Sequence, residues 1–400
     1  MPSNLTGFRE NGVDISDLYL NGSGINGTDD RGQVYDYLTD TGKINYETGS
    51  LWSWGWNAYG NLGLNDIIDR SSPVQVGSLT NWKQITSSSS AGHYLSTAIK
   101  TDGTLWSWGK NQFGELGLND TTNRNSPVQV GSLTNWKQVS TGGFFSFAIK
   151  TDGTLWSWGK NDVGQLGLNN QTNISSPVQV GSLTNWKLVS CGAYHQSFID
   201  NYGQLWSCGN NLYGQLGLNN QTNISSPVQV GSLTNWKLVS CGDRHTTAIK
   251  TDGTLWSWGW NAVGQLGLND TAYRSSPVQV GTMANWKSVF SGEFITFATK
   301  TDGSLWGWGY NLYGQLGLND TTDRSSPVQV GSLTNWKSVA AGQSVVYVKN
   351  DGTLWSAGNN AHGQLGLGDN SHRSSPVQVG SLTNWKLISG GSMAIISTKG

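Results

Sequence analysis

Cysteine, charge and long apolar runs are all scarce in this 400-residue chain, and each shortage closes off a class of protein. Three cysteines, Cys191, Cys208 and Cys241, are too few for a disulfide framework. Cys191 and Cys241 hold the same position in adjacent copies of a repeat, where other copies carry Thr141, Ser291 or Ala341. That exchange suits a small buried residue better than a redox or metal pair. Charge is sparse and balanced, 24 basic residues against 25 acidic. With no basic stripe to neutralise a phosphate backbone, nucleic acid is not an expected partner. No run reaches the length of about 18 apolar residues that a membrane-spanning helix needs. Met1 to Glu10 lacks the charged and apolar regions of a secretory signal, so export by that route is not expected. The five histidines form no H-E-x-x-H or other metal spacing, and no metal or cofactor is expected.

What fills the chain instead is repetition. Seven near-copies of a unit of about 50 residues run from Leu51 to the end, their L-W pairs beginning at Leu51, Leu105, Leu155, Leu205, Leu255, Leu305 and Leu354. Each reads approximately L-W-S-W-G-x-N-x-x-G-Q-L-G-L-N, then S-S-P-V-Q-V-G-S-L-T-N-W-K, then an A-I-K-T-D-G segment. In the second copy the apolar and aromatic stretches predict four short strands, at 104–108, 127–130, 136–140 and 147–150. The D-G pairs, such as Asp102–Gly103, predict two-residue hairpins. Four antiparallel strands per unit, seven times over, predict an all-β seven-bladed propeller of four-stranded blades.

The connection from the L-W strand to P-V-Q-V is the longest, about 17 residues, and is the expected crossing between blades. On that reading the closing blade is shared between the chain's ends, three strands from Pro376–Thr398 and one from Leu51–Gly55. The propeller is expected over 44–400. Residues 1–43 lack the repeat and read as a leader or attachment segment, with an apolar stretch at Val13–Leu20. Most of the 21 tryptophans read as core. The Asp–Arg pairs four residues apart in the long loop, Asp66/Arg70 among them, predict an ion pair, and one carboxylate per loop is too few for calcium.

The recurrent G-T-L-W-S-W-G-x-N-x-x-G-Q-L-G-L, S-S-P-V-Q-V and G-x-x-H-x-x-A-I-K motifs resemble the regulator of chromosome condensation repeat family over about 350 residues. The resemblance implies a latched seven-bladed propeller. The family's founding member is a guanine-nucleotide exchange factor that docks on chromatin. The family histidine is matched here only at His195 and His245, with Leu95, Phe145, Ile295 and Val345 elsewhere. No unit carries an insertion long enough to wedge against a nucleotide site, the largest being four residues in Ser87–Ser90, so exchange activity is not carried over. The identity of Gly164–Gly192 with Gly214–Gly242 resembles the plain arrays of bacterial and phage members.

The copies differ mainly at one set of turns. The expected binding rim comprises Trp56, Lys110, Lys160, Trp260 and Tyr310 after W-G, with Tyr94, Phe144, Tyr194, Arg244 and Phe294 after the later glycine. Exposed aromatic rings beside polar groups suit protein hot spots or sugar rings; drift at unconstrained turns is the alternative. The function expected is a non-enzymatic recognition propeller, foremost a phage virion component that binds a host protein or cell-surface glycan, with residues 1–43 meeting other virion proteins. Its expected location is then the virion, or otherwise the cytoplasm. A cellular GTPase regulator and a glycan-active enzyme are the alternatives.

Overall fold

The computed structural model describes residues 9–10, 13–14, 49–88, 94–390 and 393–398. The chain divides into two compact units, Met1–Asn45 and Tyr46–Gly400. In the first, Arg9–Glu10 pairs antiparallel with Val13–Asp14; the remainder of the expected leader lies outside the described residues.

The second unit is built from four-stranded antiparallel sheets. In the first blade the order is Trp82–Ser87, Leu95–Lys100, Leu105–Gly109, Arg124–Gln129. Trp-Lys strands of neighbouring sheets touch one another, so this strand is innermost and the Pro-Val-Gln strand outermost. Five more blades repeat the pattern through contiguous chain, ending at Arg373–Gln378. The last sheet is composite: Trp385–Gly390 and Met393–Thr398 from one end, Leu51–Gly55 and Arg70–Gln75 from the other.

The expected seven-bladed ring, its closing blade split three strands to one, is thereby corrected. Six blades are contiguous, and the seam is a pooled sheet with two strands from each end. The error lay in equating the longest loop with the longest path. The long loop returns to its own sheet, Trp106 pairing with Gln129. Its length is spent on an Asn-anchored turn and on a joint with the next blade. Buried Asn111 accepts from Leu116 N–H and donates to the Asp120 carbonyl and carboxylate. Asn119 N–H then donates to the Ser175 carbonyl of the following sheet, 2.7 Å away. The five-residue G-S-L-T-N, not the long loop, carries the chain between blades.

That joint recurs at every sheet boundary, and at the seam Gly368 N–H donates to the Ser71 carbonyl at 2.7 Å. Trp54, Trp108, Trp158, Trp258 and Trp308 reinforce it. Each is fully buried and donates its indole N–H to a backbone carbonyl of the preceding sheet's loop, as Trp54 does to Gln364 at 2.9 Å. The loop glycine beneath must stay bare: a Cβ on Gly366 would lie 2.8 Å from the Trp54 nitrogen.

Two sheets lack this tryptophan, carrying Cys208 and Ala357 instead. In both, the small Ala98-type residue on the adjacent strand is replaced by a ring, Phe198 and Tyr347. Tyr347 reproduces the missing bond, its hydroxyl donating to the Gln315 carbonyl at 3.2 Å. Volume is thus exchanged between neighbouring strands, the kind of swap a close-packed interior tolerates.

A second recurrent contact had no sequence signal. The lysine ending A-I-K lies over the outward tryptophan of its own sheet, Lys100 Nζ being 3.5 Å from the Trp106 ring centre and 4.8 Å from Trp82. Four more sheets repeat it with Lys150, Lys250, Lys300 and Lys349. In the third blade Asp200 replaces the lysine and accepts instead from Gln204 N–H and the Trp206 indole.

The D-G turns are three-residue loops rather than the expected two-residue ones. Gly103 N–H returns to the Lys100 carbonyl, and Gly103 alone has positive φ, 76°. This is a type I turn followed by a left-handed glycine. The expected Asp–Arg ion pairs form in five loops at 2.5–2.6 Å and are partly exposed, so water screens them and each adds little to stability. At Asp320 the Thr322 N–H, with Arg324 and Asn311, holds the carboxyl below its ordinary value against a smaller opposing effect of burial. The three thiols are free and buried. No described helix is long and apolar enough to cross a membrane.

Candidate functional site

The D-G turns and the G-S-L-T-N crossings lie together. Thr101 N–H donates to the Asn81 carbonyl and Trp136 N–H to the Gly103 carbonyl, so this D-G turn bridges two crossings, as do those at Gly153, Gly253 and Gly352. This is the uniform face. The variable turns occupy the other.

On the variable face the expected residues are brought together in pairs by one backbone bond per blade. Lys110 N–H donates to the Tyr94 carbonyl at 2.8 Å, Lys160 to Phe144 at 2.8 Å, Trp260 to Arg244 at 2.9 Å and Tyr310 to Phe294 at 3.0 Å. Tyr194 is paired in this way with Asn210. The glycine of W-G makes this possible. Gly109 sits at φ 104°, and a Cβ there would be 2.3 Å from the Tyr94 carbonyl oxygen.

The last full unit is one residue shorter, which shifts the sequence alignment. Asn359 N–H finds the Gln343 carbonyl, and Ser344 pairs with Gly358 as Leu95 does with Gly109. The rim position in the sixth blade is therefore Gln343 rather than Ser344, and the histidine position is Ser344 rather than Val345.

All ten expected rim residues are half-buried, not fully exposed, because they pack on one another. Trp56 and Tyr94 ring centres are 3.9 Å apart, and Tyr59 stacks on Tyr94 at 5.6 Å. Lys110 Nζ lies 4.9 Å from both the Tyr59 and Phe144 rings. Lys160 follows, 5.1 Å from Phe113, and pairs with Asp162 at 2.9 Å. These residues form a first arc of alternating rings and cations over the composite sheet and first two blades.

A second arc starts where the Arg244 guanidinium donates to the Tyr213 hydroxyl at 3.1 Å, with Asp243 beside it. It continues through Trp260, whose ring centre is 5.0 Å from Phe294, to Tyr310, Tyr313 and His372. Tyr194 lies between the arcs. Burial and Asp243 push its hydroxyl up, while Arg244 of the second arc and Lys160 of the first pull it down. Sequence reasoning missed Tyr59, Phe113, Tyr213 and Tyr313. All precede the glycine of N-x-x-G, a position whose variation was visible.

Glu115 sits under the first arc where other copies carry Gln or Asn61. It is fully buried; Phe113 N–H donates to Oε2, and Oε1 has no hydrogen-bond partner. Burial raises its carboxyl above the ordinary 4.5, against lowering contributions from nearby backbone N–H groups and Lys110. Below that ordinary value both folded and unfolded chains are protonated, and burial carries no ionic penalty. As pH rises through the raised folded value, the buried carboxyl resists ionisation and stability falls. Glu115→Gln should therefore add about 1 kcal/mol at pH 8 and little at pH 4 by denaturant unfolding. An equal gain at both pH values would contradict this.

Among the described residues no group of three or more His, Cys, Asp or Glu is placed to hold a metal. His195 and His245 are fully buried, and burial depresses each to about 3. Their Nε2 atoms bond Thr246 and Thr296 of the next sheets, which is a packing role.

Residues 46–289 match the RCC1-like domain, and 302–348 and 351–395 match the regulator of chromosome condensation (RCC1) repeat. The ultraviolet-B receptor UVR8 of Arabidopsis thaliana is 37% identical over 83 residues, 21% of this chain and 18% of that protein. The match thus spans less than a fifth of that relative. Yeast RCC1 (Prp20) bound to Kap60 superposes with a TM-score of 0.80 at 21% identity, over 91% of each chain. Prp20p of Saccharomyces cerevisiae, characterised for binding to Gsp1p and histones, gives 0.78 at 21% identity, over 90% of this chain and 92% of that one. At such identity the likeness is one of fold.

Proposed function

The chain belongs to the RCC1-like domain family, and from that premise we propose that it is a non-catalytic protein-binding propeller whose variable face meets the partner. One observation carries the reading. Units that are otherwise near-identical differ where their side chains assemble into two aromatic–cation arcs on one face. Half-buried rings held by neighbours lose little freedom on binding, which suits them as hot spots.

The named relatives support the regulator class over the virion component expected from the repeat pattern, and neither a virion nor a glycan partner is proposed. Prp20 binds Kap60 and was studied with Gsp1p and histones. A protein partner of that general kind, a globular regulator rather than a polymer, fits a broad face with several anchors. Nucleotide exchange itself is not proposed, for want of a wedge insertion.

The test is affinity capture from cells of the source, followed by titration of the captured protein against the Trp56→Ala, Trp260→Ala, Tyr310→Ala triple variant. Binding should weaken at least about tenfold, since each hot-spot truncation costs 1–2 kcal/mol or more. The variant should still unfold cooperatively. Undiminished binding by a folded variant would refute the assignment of the face.

A further inference from the structure

Every long loop is built on the same buried asparagine, and in six of them the turn closes in the same way. The backbone N–H of that asparagine donates to the side chain twelve residues on. Asp69, Asn123, Asn173, Asn223, Asp323 and His372 are the acceptors, at 2.7–2.9 Å. The fourth blade is the exception. Tyr273 stands in the acceptor's place, and among the described residues no group accepts the Asn261 N–H. The turn is otherwise intact: Asn261 still donates to the Asp270 carbonyl and carboxylate, and still accepts from Leu266 N–H. Asn261 is fully buried, so its N–H has lost an acceptor without gaining water, which costs stability.

Tyr273 is also 44% exposed, where three other loops carry an asparagine. Its ring centre lies 5.6 Å from Tyr213 and 6.4 Å from Trp260, and those two are 6.5 Å apart. Three rings thus form a triangle on the variable face, and Leu212, next to Tyr213 in the chain, is 58% exposed. Arg244 holds Tyr213 in place, lying 5.4 Å from its ring centre and donating to its hydroxyl. The two arginines beside the triangle are already met by carboxylates of this chain. Arg244 pairs with Asp243 at 3.3 Å and Arg274 with Asp270 at 2.5 Å.

We propose that Tyr213, Trp260 and Tyr273 anchor the variable face and take an apolar or aromatic side chain of the protein partner. The proposal rests on the reading of that face as a binding surface, and names the point of tightest contact and its chemistry. A residue that gives up a turn-closing bond and exposes a ring breaks a local rule, and such breaks are expected at functional sites. Neutrality supplies the chemistry. With both arginines paired, an ionic group on the partner would have to displace a carboxylate or an arginine of this chain. Ring faces and edges are what remains on offer, and they suit another ring or a large aliphatic group. Rings already held by their neighbours lose little freedom when that group arrives.

Tyr273→Asn restores the acceptor used by Asn123, Asn173 and Asn223, so stability and binding should move in opposite directions. The urea midpoint of the full chain should rise at unchanged slope. The binding probe is a random peptide library displayed on yeast and selected against the immobilised full chain. Selected peptides should share a large apolar or aromatic residue whose replacement by Ala abolishes binding. They should bind Tyr273→Asn at least about tenfold more weakly, and Tyr273→Phe, which keeps the ring, as well as the parent. A lower midpoint for Tyr273→Asn would show that the ring serves its own stacking on Tyr213 and Trp260, and would overturn the proposal. So would failure to select any peptide, selection for charge alone, or self-association of the chain through Tyr273 in sedimentation equilibrium. Peptides that bind Tyr273→Asn fully but lose the Trp56→Ala, Trp260→Ala, Tyr310→Ala variant would remove the anchor and leave the face. Full binding to both variants would remove the face as well.

Discussion

Tyr347→Ala should destabilise the propeller by about 3–5 kcal/mol, and adding Ala357→Trp should recover most of that loss. The single change empties a fully buried site against Trp336 and Phe297 and removes the hydroxyl bond to the Gln315 carbonyl. Ala357→Trp alone should cost about 1–3 kcal/mol, because it forces an indole into space Tyr347 fills. Together the two changes recreate the Ala298 and Trp308 arrangement of the preceding blade, where the indole donates to Gln265. The interaction energy of the double-mutant cycle should therefore be large and favourable. It is read from denaturant unfolding of the four proteins. Additive losses would mean that the two positions do not share one space.

A chain ending at Asn384 should lose at least about 5 kcal/mol, or fail to unfold cooperatively at all. It lacks Trp385–Gly390 and Met393–Thr398, half of the composite sheet. Trp385 is buried against Trp54 and Trp52, with ring centres 6.2 Å away in both cases. Its removal also frees Ser87 N–H, which in the intact ring donates to the Ser389 hydroxyl oxygen at 2.8 Å. Leu51–Gly55 would become an unpaired edge on that side, and the first and sixth blades would lose the sheet between them. Removing a comparable length from an open repeat array would subtract only a terminal unit.

Much of this was legible in the chain. Four strands per unit followed from short runs of Trp, Val and Ile between turn residues, and the observed strands of the second copy overlap all four expected ranges. The blade boundary was not legible, because counting residues in the long loop says nothing about Asn111 folding that loop back onto its own sheet. Nor was the Lys100–Trp106 contact, which joins residues on neighbouring strands through a turn whose type had been misjudged. The exchange of Trp for Cys208 and Ala357 is plain in the aligned repeats, whereas its partners Phe198 and Tyr347 emerge as compensation only from the strand register. At the rim, composition located the variable turns but overestimated their exposure. Rings such as Tyr59 and Phe113, one turn away, cover the flanks of Tyr94 and Phe144.

The account rests on a ring closed by strands from both ends, and amide hydrogen exchange at Leu51–Gly55 tests it most directly. In the intact chain these amides should exchange as slowly as those of Leu105–Gly109, which occupy the same place in a contiguous blade. In the chain ending at Asn384 the protection of 51–55 should collapse while much more of 155–159 survives. Fast exchange at 51–55 in the intact chain, or slow exchange there after truncation, would show that the ring is not closed in this way.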